Sequence, residues 1–364
     1  MRALLSHDLP RSRILAALLA ACFVGLLGAP FIFPGTQALN VAAKILVFIL
    51  LVASYDLLLG YTGIVSFAHT MFVGIGAYGI AIASTRLGPD WGSLAIGFAA
   101  ALALSAVLAL AMGLASLRVK AIFFAMITLA VASAFMTLAS QLSDITGGED
   151  GLNFQLPEAL RPSTEFMDEP LLGVMLDGRL LTYYALFAAV TALILLLLRI
   201  VNSPFGRVLQ AIRENDFRAE AIGYRTVVYR VWANVLAALF ATLAGAMLAV
   251  WLRYNGPDTS LSLELMLDVL LICVIGGMGS VYGAVVGSVL FMGAQAYLQD
   301  LMRLGASAVE GVPVLAQLVS PDRWLLWLGL LFVLAVYHFP AGIVGGLRLR
   351  AARRALAALS KEQA

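Results

Sequence analysis

The chain has 364 residues, of which 62% are hydrophobic and 12% charged, and its mean hydropathy is +0.96. A soluble domain carries about a quarter charged residues, so this composition excludes burial in one soluble core and marks an integral membrane protein. The net charge of +2 says little by itself; its distribution along the chain says more, and nucleic acid is not an expected partner.

The first apolar run, 13–33, follows Arg2, Arg11 and Arg13. It could pass for a cleaved leader, but its length and continuation to Phe33 favour a transmembrane helix. Further runs long enough, or nearly so, to cross a bilayer lie at 38–59, 63–84, 93–117, 119–141, 180–200, 227–252, 265–278, 281–299 and 323–340. These make ten spans, the eighth short. Lipid offers no partner to unpaired backbone, and no ten-residue alternation suggests a barrel, so the expected fold is an all-α membrane protein forming one transmembrane domain over 1–364. Lys44 falls near the start of the second run and snorkels to an interface. Cys22 and Cys273 sit in apolar runs without metal-ligand spacing, and neither a disulfide nor a metal site is expected.

Arginine and lysine near span ends set the orientation. The segment 199–230 carries Arg199, Arg207, Arg213, Arg218, Arg225 and Arg230; the tail 343–364 carries Arg348, Arg350, Arg353, Arg354 and Lys361; Arg118 and Lys120 flank a tight turn. All should be cytoplasmic, as should both termini. The segment 142–180 has eight acids against two bases, Arg161 and Arg179, and should face outside. Ten spans satisfy every one of these assignments by parity, whereas nine or eleven do not.

A faint repeat relates the two halves. "DLLLGYTG" (56–63) and "DVLLICVIGGMG" (268–279) each place an acid ahead of a glycine-rich break, and a glycine-rich helix follows each: Gly74, Gly76 and Gly79, then Gly283, Gly287 and Gly293. Paired glycine-interrupted segments in two halves point to a central pathway in transporters. The stretch "GYTGIVSFAHT" (60–70) places Ser66 and His69 three residues apart, on one face if the stretch is helical. A serine nucleophile needs a third orienting group, and no acid falls between Asp56 and Asp90, so no catalytic residues are assigned. Asp56 and Asp268 either line a functional path, including a proton-coupled one, or cap helices near an interface.

The segment "SPFGRVLQAIRENDFRAEAIGYRT" (203–226) differs in kind. Ser203 and Pro204 read as an N-cap and first helical residue; Phe205, Val208, Leu209 and Ile212 form a stripe; a mixed-charge cluster follows before Gly223 stops the helix. This reads as a docking element on the cytoplasmic surface, or else as a salt-bridged loop held to anionic lipid. No Gly-x-x-x-x-Gly-Lys-Ser/Thr motif occurs, so any ATP must be bound by another chain, and no cofactor is expected.

"GYTGIVSFAHTMFVGIGAY" (60–78), "FFAMITLA" (123–130), "TGGEDGL" (146–152), "SPFGRVLQAIRENDFRAEAIG" (203–223) and "IGGMGSVYGAVVGS" (275–288) resemble, in order, motifs of the branched-chain amino acid ABC transporter permeases, most closely the M-type subunits. The resemblance implies an inner-membrane importer in which this chain works beside an H-type permease, two ATP-binding cassette ATPases and a periplasmic substrate-binding protein. The paired glycine breaks make Tyr61, Gly63, Ser66, His69, Gly277 and Gly279 candidates around the path, with Ser66 and His69 either lining it or locking its helices together, and the resemblance implies that Arg213, Glu214, Asn215, Glu220 and Gly223 couple to an ATPase. Glu149 and Asp150 would lie at the external mouth as gate or docking residues, or else belong to an acidic, solvated outer loop. The chain departs from the family pattern at Ala68, Ala284 and Ala341. Relatives with similar motifs import amides, urea and other small polar solutes, which stay alternatives to a hydrophobic amino acid.

Overall fold

The computed structural model describes residues 12–32, 35–116, 121–166, 175–308 and 320–348. Arg2, Arg11, Arg118, Lys120, Asp168, Glu169 and the tail beyond 348 lie outside the described residues. In chain order the helices are α1 (Arg13–Ile32), α2 (Thr36–Thr62), α3 (His69–Leu87), α4 (Trp91–Ser116), α5 (Ala121–Gln141), the single turn α6 (Ser143–Thr146), α7 (Gly178–Val201), α8 (Pro204–Glu214), α9 (Asp216–Ala221), α10 (Thr226–Leu252), the turn α11 (Pro257–Ser260), α12 (Leu263–Gly276), α13 (Val281–Ala308) and α14 (Trp324–His338). Ten segments among the described residues are long and apolar enough to cross a membrane: α1 to α5, α7, α10, α11 with α12, α13, and the stretch containing α14.

Helices α2, α3 and α10 form the centre of the bundle, with α13, α12 and α7 packed around α2 and α4 packed on α3 and α10. Lipid tails are as apolar as leucine, so helices associate in a membrane through close packing and interhelical hydrogen bonds. The α3–α10 contact shows both. A Cβ at Gly76 would stand 1.9 Å from the Thr242 carbonyl oxygen and one at Gly245 would stand 2.0 Å from that of Val73, so the two backbones touch where no larger residue fits. Thr242 Oγ1, whose proton goes to the Ala238 carbonyl at 2.8 Å, accepts from Ser105 Oγ of α4 at 2.6 Å, and Asn234 Nδ2 donates to the Ala109 carbonyl at 2.9 Å. Phe23, Val107, Met126 and Leu331 on the outer helices are exposed, as a lipid-facing surface requires.

On one side of the bundle the long α5–α7 connection folds back on the α10–α11 connection. Strand β1 (Leu152–Asn153) pairs antiparallel with β2 (Tyr254–Asn255), Leu152 opposite Asn255. Two spans, α7 and α10, separate these connections, so their meeting on one face agrees with the parity read from the charges.

Candidate functional site: the seam between the glycine breaks and the α8–α9 segment

Helix α2 stops at Gly63, whose φ of 73° is left-handed and whose N–H returns to the Leu58 carbonyl. The following residues, 64–68, are not helical, although their apolar composition continues the hydropathy of the span. The expected third span at 63–84 therefore begins six residues late, at His69. Backbone that leaves a helix inside protein must find other partners, and here the Phe67 N–H donates to Thr128 Oγ1 of α5 at 3.0 Å.

Ser66 and His69 consequently do not share a helix face. Ser66 Oγ accepts from the Ala68 N–H at 3.4 Å, two residues along its own loop. His69, 1% exposed, instead meets Ser54 of α2 at 2.9 Å through Nε2, and its ring stands edge-on to Tyr55 at 5.2 Å. The Ser54 hydroxyl donates its one proton to the Leu51 carbonyl at 2.6 Å, which leaves Nε2–H as the donor in the Ser54–His69 bond. The pair is a cross-brace between α2 and α3, with Ser54 a residue that sequence spacing alone did not single out. Tyr61 is buried in the last turn of α2.

The second break lies at Gly277 and Gly279, between α12 and α13. It meets the end of α2 directly. Asp56 Oδ1, fully buried, accepts from the Gly279 N–H at 2.8 Å and from Cys273 Sγ at 3.4 Å. An acid just ahead of a helix start satisfies donors that the helix cannot pair itself. The partner of Asp56 is thus the second break and not the second acid: Asp268 is half-buried on α12, near Glu264 and Gln295.

The charged segment closes the seam from the other side. Its break comes earlier than the sequence suggests, at Asn215, which ends α8 and caps α9 by accepting from the Arg218 N–H at 2.9 Å. Ser203 precedes Pro204 as expected, but its hydroxyl donates to the Ile200 carbonyl at 2.6 Å and does not cap α8. Val208, Leu209 and Ile212 are buried, and Phe205 stacks on Tyr229 at 5.7 Å. Arg213 Nη1 donates to the Gly60 carbonyl, one of the acceptors orphaned where α2 ends, and so places a cation at that helix's C-terminus. Glu220 Oε1 accepts from Thr226 Oγ1 at 2.7 Å, and Asp216 pairs with Arg230 at 2.9 Å. Of the polar residues expected to face a partner, Arg213, Glu214, Asn215 and Glu220 are all exposed, Arg213 and Glu220 each making one side-chain bond within the chain; Gly223, with φ of 102°, ends the segment. Among these exposed residues stand two apolar side chains, Phe217 at 82% and Ile222 at 71% exposure.

On the opposite face Glu149 and Asp150 lie exposed in a 3-10 turn between Gly148 and Gly151, and Tyr254 OH donates to the Asp150 carbonyl at 3.2 Å. Among the described residues no cluster of three metal-ligating side chains occurs.

A family described as the branched-chain amino acid transport system permease component matches residues 37–336. The chain belongs to this family. It is 24% identical over 305 residues to the high-affinity branched-chain amino acid transport system permease protein LivM of Salmonella typhimurium, covering 79% of this chain and 70% of that one. It is 24% identical over 303 residues to the protein of the same name in Escherichia coli, covering 79% and 69%. A probable branched-chain amino acid permease LivM of Methanocaldococcus jannaschii is 23% identical over 234 residues, or 64% of this chain and 62% of that one. No solved structure matches. The family match spans both glycine breaks, the α8–α9 segment and the 148–151 turn, and the protein is a multi-pass membrane permease. Sequence reasoning had passed over Ser54, Thr128, Asn40 and Arg253. The signal for the first three was a polar residue inside an apolar span, and for Arg253 a lone arginine in a position that glycine usually takes.

Proposed function

We propose that the chain is a permease subunit of an ATP-binding cassette importer for branched-chain or other hydrophobic amino acids. It carries no nucleotide site of its own and works beside a homologous H-type permease, two ATPase subunits and a periplasmic binding protein. It lies in the inner membrane with both termini cytoplasmic, the orientation that the arginines of 199–230 favour. One observation carries the reading: a short paired helix, α8–α9, leaves the bundle on the arginine-rich side, exposes Phe217 and Ile222, and is tied by Arg213 to the end of the central helix α2.

In this mechanism the exposed apolar pair seats on an ATPase. Closure of the ATPase dimer moves α8–α9, and Arg213 passes that motion to Gly60, hence to the Asp56–Gly279 contact where the two halves meet. Two discrete arrangements of this seam open the path through Tyr61, Gly63, Ser66, His69, Gly277 and Gly279 to one side or the other. Glu149 and Asp150 stand at the receiving mouth.

The test is uptake of labelled L-leucine into proteoliposomes holding this chain with its companion subunits. Uptake is expected only with ATP and all subunits present. Uptake by this chain alone, driven by a proton gradient without ATP, would overturn the proposal.

A further inference from the structure

We propose that Arg179 and Arg253 together form a receptor for the carboxylate of the solute at the outer end of the bundle, a reading that rests on the proposed amino-acid import. Helix α10 ends at Leu252, and the next residue, Arg253, adopts φ 56°, ψ 22°. It is the only described non-glycine residue with positive φ. Left-handed backbone costs an L-residue about 1–2 kcal/mol, and this is the helix-ending position where glycine is usual. Two backbone bonds lock it there: its N–H donates to the Ala249 carbonyl at 2.7 Å and its carbonyl accepts from Phe154 at 3.2 Å. The guanidinium therefore hangs from a fixed point.

Arg179, in the first turn of α7, is held as firmly. Its Nη2 donates to Asn40 Oδ1 of α2 at 2.8 Å, and its guanidinium carbon stands 5.6 Å from the ring centroid of Trp251. Trp251 Nε1 donates to the same Asn40 oxygen at 3.2 Å. Both arginines line one small cavity walled by Leu156, Leu160, Val250 and Trp251. Burial, and then the neighbouring Arg179 charge, push Arg253 below its ordinary arginine value. The nearby acid, Asp177, spends Oδ1 on the Leu180 N–H at 2.9 Å, and no ion pair joins either arginine to an acid among the described residues.

Two half-buried like charges and a strained backbone all cost stability, offset only in part by the charge of Asp177 near Arg253, and they leave planar donors that no acid bonds directly among the described residues. The cavity holds about 10 Å³, the volume of one oxygen-sized group. It therefore admits one carboxylate oxygen, the rest of the ligand lying outside it. A carboxylate matches guanidinium forks in shape and charge, and apolar walls strengthen the contact by excluding water.

Purified full-length protein in phosphatidylcholine nanodiscs supplies the test, with labelled L-leucine displaced by isovalerate, which keeps the carboxylate, or by leucinol, which lacks it. Expected are binding of L-leucine, competition by isovalerate and none by leucinol. Arg253→Gly removes the guanidinium at a backbone position that suits glycine, and it should weaken both carboxylate ligands by about tenfold or more. The proposal is overturned if the parent chain binds neither carboxylate, if leucinol competes as well as isovalerate, or if Arg253→Gly binds like the parent. It is also overturned if phosphatidylglycerol in place of phosphatidylcholine abolishes isovalerate binding, because the arginines then serve lipid phosphate. ATP-driven uptake by the full assembly separates the two readings: normal uptake with an unaffected Arg253→Gly removes the receptor alone, whereas isovalerate binding without any ATP-driven uptake removes the importer.

Discussion

Replacing Gly60 by alanine places a methyl carbon 1.9 Å from Asp56 Oδ1 and 2.3 Å from the Gly279 nitrogen. Both distances are far inside van der Waals contact, so the carboxyl must swing away or the second break must withdraw. Either movement breaks the 2.8 Å bond from Gly279 N–H to Asp56. Stranding those buried groups costs about 1–3 kcal/mol, and the residual overpacking costs about 1–3 kcal/mol more. Taking the lower bounds, opening of the seam becomes easier by about 2 kcal/mol, which raises the opened population about 30-fold. Cys273 provides the readout, because it is 2% exposed and its sulfur lies 3.4 Å from the same Asp56 oxygen. In a Cys22→Ala background, the rate of Cys273 labelling by a small maleimide should rise by about this factor while the protein still elutes as a folded species. Gly223→Ala is the matched control: its Cβ meets nothing within 4 Å, so only the left-handed φ of 102° is strained and labelling should not change. A Gly60→Ala rate equal to that of the parent would refute the clamp.

Phe217→Asp alters a side chain that is 82% exposed, so stability should hold within about 0.5 kcal/mol while co-purification of ATPase subunits is lost; retained co-purification removes α9 from that interface. Gly245→Leu drives a side chain into the Val73 carbonyl, 2.0 Å from the Cβ position, where neither backbone has room to yield. A loss above about 4 kcal/mol follows, and size-exclusion profiles should show aggregate in place of folded protein; a normal profile would contradict the close α3–α10 approach. Ser54→Ala strands the Nε2–H of buried His69 at a cost of about 1–3 kcal/mol, visible as a lower thermal midpoint in detergent, and an unchanged midpoint would show that the brace between α2 and α3 carries no weight.

The ten spans were legible because lipid forces long apolar runs into helices, and the parity of charged connections then fixes which ends lie together. The seam was only half legible, for a reason its own bonds make plain. Hydropathy runs unbroken through Ile64, Val65 and Phe67, and what lets that stretch leave the helix is a hydroxyl at Thr128, on a different span. The repeat predicted an acid in each half, but Asp56 answers Gly279 of the other half, and Asp268 lies apart from that contact. Amphipathic spacing puts Val208, Leu209 and Ile212 on the buried face of α8, yet could not foresee that Arg213 bonds across to α2, because its acceptor is a carbonyl orphaned by the end of that helix. In each case the deciding partner is a backbone group freed where a helix stops, and such groups carry no side-chain signature. That is also why the proposed functional residues gather there. A helix interior inside a membrane has every backbone bond satisfied and nothing left to rearrange, whereas a broken end offers donors and acceptors that a neighbouring side chain can hold in one arrangement and release in another. Arg213 on Gly60 and Asp56 on Gly279 sit on two such ends within one seam, which is the route the proposed mechanism gives a displacement of α8 to the contact between the two halves.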